Sequence, residues 1–376
     1  MTLPAAVITG APGWLGTRLV LALAQGLPDV PGLKEGNPDR VQRCLVHGNR
    51  DISPLKTIKG RIELVPGDLT DPGSLAELFK GIADAVVFHC AGVIHPRRVR
   101  EFYAVNAFGT RNLVKAAISA GARRFIHISS SSPIGFNPVR AAFLSAVASS
   151  RSDPAKYAGS AKAEATIPFD ESSPYSPYMS YGKSKKLAED IVNQAGREGK
   201  IETVIVRAPW YYGPGQPERQ TRFFRMIKNG TVPIVGDGEN LRSMAYVDNL
   251  CQGLILCEKI EKAKDQIYWL SDRKPYTMNQ IVNTIERVME NDFQIETAHR
   301  RRRVPGIISE IALLTDKIIQ AIGLYQQGIQ VLSEMNKNIF CSISKAETEL
   351  GYDPKIDLEE GMRRSIKWLL ENSVKI

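Results

Sequence analysis

A tyrosine and a lysine stand four residues apart in Tyr181-Gly182-Lys183-Ser184-Lys185. On a helix that spacing is one turn, so both side chains can project from one face. A free phenol has a pKa of about 10 and is a poor base near neutrality, and a fixed ammonium beside it favours the phenolate. The pair is therefore a candidate general acid/base. Upstream, Ile128-Ser129-Ser130-Ser131-Ser132 clusters hydroxyls at the end of an apolar run. A hydroxyl there could hold a substrate alcohol or carbonyl by hydrogen bond while the phenol moves its proton. The plain alternative is the exposed start of an ordinary helix and a set of strand-end hydroxyls. Tyr157 and Tyr178 lack a lysine four residues on and are poor rivals to Tyr181.

Such residues need a scaffold, and its first piece is Val7-Ile8-Thr9-Gly10-Ala11-Pro12-Gly13-Trp14-Leu15-Gly16, an apolar run that breaks into three glycines and then into a helical stretch. Strand, tight turn and helix N-terminus make a site for a dinucleotide pyrophosphate, because glycine permits positive φ and close backbone approach while the helix amides face the charge. The spacing is Gly-x-x-Gly-x-x-Gly, not Gly-x-Gly-x-x-Gly. Further strands are expected at 41–47, 62–69, 85–92, 124–129 and 203–207, with helices at 72–79, 102–120 and 181–196 between them. Ala85–Gly92 is almost continuously apolar, as in strands buried on both faces of a parallel sheet. The alternation predicts an α/β fold with a Rossmann-type doubly wound parallel sheet, and the serines then sit at the C-terminal strand edge where ligands bind. Gly26–Pro38 is expected to be a surface loop, and the Ala/Ser-rich segment Asn137–Ser173 interrupts the pattern.

Beyond Arg207 the chain turns irregular, with a helix expected near 221–228 and a hairpin-like turn at 233–238. A helix at 247–258 and a strand at 266–270 return to the sheet, and the chain closes with amphipathic helices through Trp368. The domains expected are 1–207 with 245–270 for the nucleotide, and 208–244 with 271–376 as a smaller substrate lobe. At 376 residues the chain has room for about two domains of about 150 residues. An apolar fraction of 43% and a charged fraction of 24% are ordinary for globular proteins. Five scattered cysteines without Cys-x-x-Cys spacing argue against disulfides and zinc, and the start of the chain lacks a secretory n-region, so a cytoplasmic location is expected. The net charge of +9 is compatible with an acidic partner. The clusters at Arg97–Arg100, Arg123-Arg124 and His299–Arg303 have no interleaved aromatics and read as solvated faces, not nucleic-acid contacts.

Taken together, Thr9-Gly10-x-x-Gly13-x-x-Gly16, Gly67-Asp68-Leu69, His89-x-Ala91-Gly92, Val105-Asn106-x-x-Gly109-Thr110, the serine cluster, Tyr181-x-x-x-Lys185, Arg207-x-Pro209 and Tyr212-Gly213-Pro214-Gly215 resemble the extended short-chain dehydrogenase/reductase family across nearly the full length. The resemblance implies Tyr181 as catalytic acid/base, Lys185 as the residue that lowers its pKa and holds the nicotinamide ribose, Asn106 as a cofactor-side structural residue and Asp68 as an adenine contact. It implies Ser130 as the catalytic serine, counted back from Ile134-Gly135, with Ser131 second and near the substrate. The cofactor-binding set it implies is Gly10, Gly13, Trp14, Leu15, Gly16, Asp68, Leu69, Ala91, Gly92, Asn106, Ser129, Tyr181, Lys185 and Pro209. At the end of the second strand stand His47-Gly48-Asn49-Arg50, with no carboxylate where the ribose hydroxyls of NAD would be bound. NADP is favoured over NAD, with Arg50 as the phosphate contact.

The substrate is less legible. Gly236–Asn249 resembles a segment shared by 3β-hydroxysteroid dehydrogenase-like proteins and nucleotide-sugar epimerases, and Arg242 is where a sugar-nucleotide enzyme would keep a diphosphate-binding arginine. Val304–Leu332, with Ile307, Ile308, Ile311, Leu314, Ile318, Ile319 and Ile322 at helical spacing, resembles the steroid dehydrogenase-like branch more closely. Charges interrupt it, so it is no spanning helix. A core helix of the small lobe is expected there, and the stretch 299–325 is also a candidate for peripheral membrane contact or for capping an apolar substrate. The expected activity is an NADP-linked oxidoreductase acting on a hydroxyl or ketone of an apolar, steroid-like small molecule, as a homodimer. The rivals are an NDP-sugar epimerase or dehydratase and a non-catalytic nucleotide sensor. Ser130 and Tyr181 stand about fifty residues apart, farther than the family's usual spacing, so the 137–173 segment is expected to wall the substrate site.

Overall fold

Apolar runs without polar alternation become the centre of the molecule, a computed structural model that describes residues 3–138 and 166–376. Seven parallel strands form one sheet: β1 (Ala6–Thr9), β2 (Gln42–Val46), β3 (Ile62–Pro66), β4 (Val86–His89), β5 (Arg124–Ser130), β6 (Glu202–Ala208) and β7 (Gln266–Trp269). Their spatial order is β7-β6-β5-β4-β1-β2-β3, so the order reverses between β1 and β4. Crevices at such switch points, outside the C-terminal strand ends, are where ligands bind in open α/β sheets.

The two faces are covered by different helices. Ile8, Phe88, Ile126, Val204 and Val206 point to the side of α1 (Trp14–Gln25) and of the helix Val247–Lys259, whereas Val7, Val87, Phe125 and Ile205 point to the side of the helices Thr110–Ser119 and Met179–Arg197. Here α2 denotes Thr110–Ser119, α3 Met179–Arg197, α4 Glu218–Lys228 and α5 Val247–Lys259. The period of two along each strand assigns every side chain to its layer. The loop after α1 differs from the expected surface connection: Leu27, Val30 and Leu33 are buried in the same layer as α1, which is how so many prolines and glycines stay ordered. The expected regular helix at 102–120 is also composite, with an α-turn Val99–Phe102, a π-helical stretch Tyr103–Gly109 and then α2. The wider turn buries Asn106.

The remaining elements build a second core from α4, α6 (Met278–Phe293) and α9 (Leu358–Glu371), where Phe224, Ile281, Ile285, Met289, Met362 and Ile366 interlock. Residues 233–238 do not form a hairpin. Pro233–Val235 pairs in parallel with Arg302–Val304, so the basic run after His299 supplies a strand. Next come α7 (Ile307–Ala321) and α8 (Gln327–Glu334), two helices packed on each other beside the C-terminal edge of the sheet.

One ion pair ties the sheet to α3. Arg207 at the end of β6 and Glu189 on α3 are 1% and 0% exposed, with Nη2 2.9 Å from Oε2. Ser129 of β5 donates to Glu189 Oε1 at 2.5 Å, and Tyr175 donates to Oε2 at 2.7 Å. Removing one partner strands a buried charge, so Glu189→Ala is expected to lower the unfolding free energy by ~3–5 kcal/mol in urea titrations, whereas Glu189→Leu combined with Arg207→Leu loses less.

Candidate active site

The dinucleotide turn is closed to side chains. Gly10 lies at φ +85°, and a Cβ there would meet Ala91 N at 2.6 Å; at Gly13 and Gly16 it would meet Gly10 O at 2.6 and 2.5 Å. The N-terminus of α1 carries no side-chain cap and no acidic residue in its first turn. Its amides are thus left for an outside anion, and the cradle fits a pyrophosphate. Trp14 borders this turn, donating from Nε1 to Pro214 O at 2.7 Å and packing tilted at 48° against Tyr211 with 4.9 Å between centroids.

From here a cavity of about 1260 Å³ runs along the sheet edge. It is lined by Gly10, Gly13, Trp14, Leu15, Gly16, Arg50, Asp68, Leu69, Ala91, Gly92, Ser129, Ser130, Ser131, Tyr181, Lys185, Pro209 and Arg242, so every expected site residue but one meets it. The exception is Asn106. It lies behind the wall, accepting from Val93 N at 2.8 Å and donating to Val93 O at 3.0 Å and Ser184 Oγ at 3.1 Å. It thereby clamps the strand-end loop to α3. At the adenosine end, Asp68 accepts from Thr70 N and stands 3.5 Å from His47 Nδ1, while Asp51 is turned to Ser53, accepting from N at 2.9 Å and Oγ at 2.6 Å. Arg50 has no ion pair or hydrogen bond among the described residues.

Ser130 Oγ donates to Ser132 Oγ at 3.4 Å and accepts from Ser132 N at 3.3 Å, and it faces the same cavity as the Tyr181 phenol. Burial pushes that phenol up to about 12, while the neighbouring Ser130 hydroxyl and the charge of Arg219 pull it down. Lys185 Nζ donates to Ile128 O at 2.7 Å and stands 3.4 Å from His127 Nε2. Burial pulls its ammonium down to about 8, against the raising effect of the Glu189 carboxylate one turn on. The imidazoles beneath are neutral: burial and the Lys185 charge hold His89 at about 3 and His127 well below the usual range. His89 bridges Thr9 Oγ1 at 2.7 Å and Thr110 Oγ1 at 2.8 Å. Arg242 is engaged inside the lobe. Its guanidinium donates to Glu334 O at the end of α8, and burial of the arginine lowers its pKa.

Several groups here escaped the sequence reading. Arg219 and Arg222, in the first turns of α4, line the cavity with no hydrogen bond or ion pair among the described residues. His95 Nδ1 is 2.6 Å from Tyr325 Oη, and Phe102 packs its ring against both Tyr181 and Tyr325. Their only signal was closeness to motifs, His95 after His89-x-Ala91-Gly92 and Arg219 after Tyr212-Gly213-Pro214. Of the 137–173 segment, residues 139–165 lie outside the described residues; Asn137 bonds Ile167 O and Phe340 O, each at 2.8 Å.

Residues 6–269 match the NAD dependent epimerase/dehydratase family, and the chain belongs to it. It is therefore an NAD(P)-dependent enzyme of the extended short-chain dehydrogenase/reductase type, with a nicotinamide dinucleotide as cofactor. The uncharacterized protein y4nL of Sinorhizobium fredii is 44% identical over 98% of this chain and 96% of its own length. The 3beta-hydroxysteroid-dehydrogenase/decarboxylase isoform 1 of Arabidopsis thaliana is 26% identical over 82% of this chain and 66% of its own. UDP-glucuronic acid 4-epimerase from Bacillus cereus, solved with UDP-glucuronic acid and NAD, shares the fold with a TM-score of 0.69 at 19% identity, over 98% of this chain and 99% of that one.

The buried ammonium makes a pH prediction. Lys185 has a folded pKa of about 8 against 10.5 ordinarily, so above about 8 the unfolded chain holds this proton more tightly than the folded one. Stability from this group accordingly rises with pH through that window. The difference in unfolding free energy between the protein and Lys185→Met is expected to shift in favour of the protein from pH 8 to 10, and a flat difference would show that the ammonium is not desolvated.

Proposed function

We propose that the chain is an NADP-linked oxidoreductase acting on a secondary alcohol or ketone of an apolar, steroid-like substrate. The observation that carries this reading is the apolar wall that Phe136, Trp210, Phe223, Met226, Met278 and Ile339 give the cavity. Arg242 in the same region spends one donor on Glu334 O at the end of α8. The name of the Arabidopsis relative points the same way. In this reading Ser130 and Tyr181 hold the reacting oxygen, Tyr181 moves its proton, and Lys185, anchored on Ile128 O, holds the cofactor ribose. The nicotinamide, when bound, supplies or accepts the hydride. Asp51 is occupied by Ser53 and Arg50 is unpaired, which favours the phosphate of NADP over the bare ribose of NAD.

The second reading is an NDP-sugar epimerase or dehydratase, and it draws on Arg219 and Arg222, two cations in the cavity without ion-pair partners among the described residues. A thermal-shift panel with cofactor present separates the two. Hydroxysteroids and other apolar alcohols are expected to raise the melting temperature and UDP-sugars are not; stabilisation by UDP alone would transfer the assignment to the second reading.

Two variants test the assigned roles. Tyr181→Phe keeps the ring but loses the proton, so turnover is expected to fall by ~10²-fold or more with NADP affinity retained; full turnover would remove Tyr181 from the chemistry. Arg50→Ala is expected to weaken NADP binding about tenfold in titrations and leave NAD unchanged, because only the 2′-phosphate would meet the guanidinium.

A further inference from the structure

The helix α7 is inside out. A core helix was expected at this stretch, with contact to a membrane surface or capping of an apolar substrate as the alternatives, and Ile307, Ile311, Leu314, Ile318 and Ile322 are 62, 54, 62, 59 and 70% exposed. They recur at helical spacing, so they form one apolar stripe about 22 Å long on the outer side. Leu324 and Val331, 48% and 45% exposed, extend it past the helix end and onto α8. The inward face is Ser309, Ala312, Asp316 and Gln320, each 8% exposed or less. Gln320 Oε1 accepts from Ser180 N at 3.0 Å, and its amide donates to Asp316 at 3.0 Å. The polar side of α7 thus satisfies a free amide at the start of the helix that carries Tyr181, and the apolar side is left without a cover among the described residues. Contiguous exposed apolar patches of this kind mark interaction surfaces.

The charges around the stripe name its partner. Val99 N donates to Gly323 O at 3.0 Å and Arg98 bridges to Leu324, so the basic run Arg97-Arg98-Val99-Arg100 lies against the C-terminal end of α7. Arg302 and Arg303 lead into its N-terminal end, and Lys317 is exposed along it. None of these six cations is in an ion pair among the described residues, and the exposed acid of the helix, Glu310, is paired with Lys337. We propose that the α7 stripe with its basic flanks docks the enzyme on the surface of an anionic lipid bilayer, the stripe in the acyl boundary and the arginines at the headgroups. No described helix is long and apolar enough to cross a membrane, so the contact is peripheral. A second copy of the chain fits less well, since a two-fold contact through the stripe would set one positive flank against another. The assignment stands apart from the substrate reading, although Gln327, Val331, Glu334 and Met335 of the same helix pair line the active-site cavity.

Flotation of the full chain with vesicles tests this without any substrate. Vesicles of phosphatidylcholine with about a third phosphatidylglycerol are expected to carry the protein at least ~tenfold better than phosphatidylcholine alone, and less well as salt rises from about 0.1 to about 0.5 M. The triple variant Ile311→Ser, Leu314→Ser, Ile318→Ser is expected to lose ~tenfold or more of that binding with unchanged melting and turnover. The variant Arg97→Ala, Arg98→Ala, Arg100→Ala is expected to lose the preference for anionic vesicles. No flotation, or flotation that the triple variant leaves intact, overturns the proposal. So does a dimer in light scattering that the triple variant dissociates while vesicles fail to bind, which would assign the stripe to a second copy. Failure here with retained activity on apolar alcohols would leave the substrate reading in place.

Discussion

Two charges that water barely reaches hold the chemistry in register. Tyr181, Lys185 and Glu189 follow one another at four-residue steps along α3 and so share one face of that helix. The third member is the anchor. Glu189 takes the Arg207 guanidinium from the end of β6 and the Ser129 hydroxyl from the end of β5, so the helix, both strands and the serine cluster are fixed to one carboxylate. A buried pair of this kind contributes little net stability against an apolar replacement, but it admits only one arrangement. A slip of α3 by one residue would turn the anchor away from Arg207 and the phenol away from Ser130 together.

The same burial sets the proton order of the site. In water the phenol and the ammonium titrate close to each other, whereas here the loss of solvent drives them apart, up to about 12 for Tyr181 and down to about 8 for Lys185. Lys185 is turned to Ile128 O and His127, and the groups that pull the phenol down are Ser130 and Arg219. The spacing alone put a lysine beside the phenol, and the fold adds Arg219 of α4 to the same cavity, where its charge favours the phenolate.

How much of this could be read from the chain depends on whether a pattern has one physical meaning. The almost continuous apolar run at β4 reads as a strand covered on both faces, and three glycines between strand and helix mark a turn with positive φ and no room for a Cβ, as at Gly10 O. The Tyr181 and Lys185 spacing likewise has one geometric outcome. The π-helical stretch around Asn106 was invisible because one extra residue in a turn leaves the apolar pattern almost unchanged. The parallel partner of Pro233–Val235 lies far along the chain at Arg302–Val304, where a run of arginines carries no strand signal. Nothing in the sequence singles out Arg219 and Arg222, and only the fold shows that they line the wall of a cavity.

At α7 the periodicity was legible in the sequence and the orientation was left open between a core helix and an outward-facing one. An apolar stripe on a helix states that two faces differ; it does not state which one turns inward. The inward choice is made by the neighbour. The first turn of α3 has backbone amides with no intrahelical partner, Tyr178 at its N-cap offers no side-chain cap, and Gln320 of α7 supplies the acceptor for Ser180 N. Tyr178 Oη, bonded to Ser333 Oγ on α8, fastens the second helix of the pair to the same point. Turning the isoleucines of α7 inward would leave the amide of Ser180 without its acceptor beside Tyr181 and would expose the Asp316–Gln320 pair. Keeping the active-site helix capped is thus what places five large apolar side chains in contact with whatever lies outside the protein.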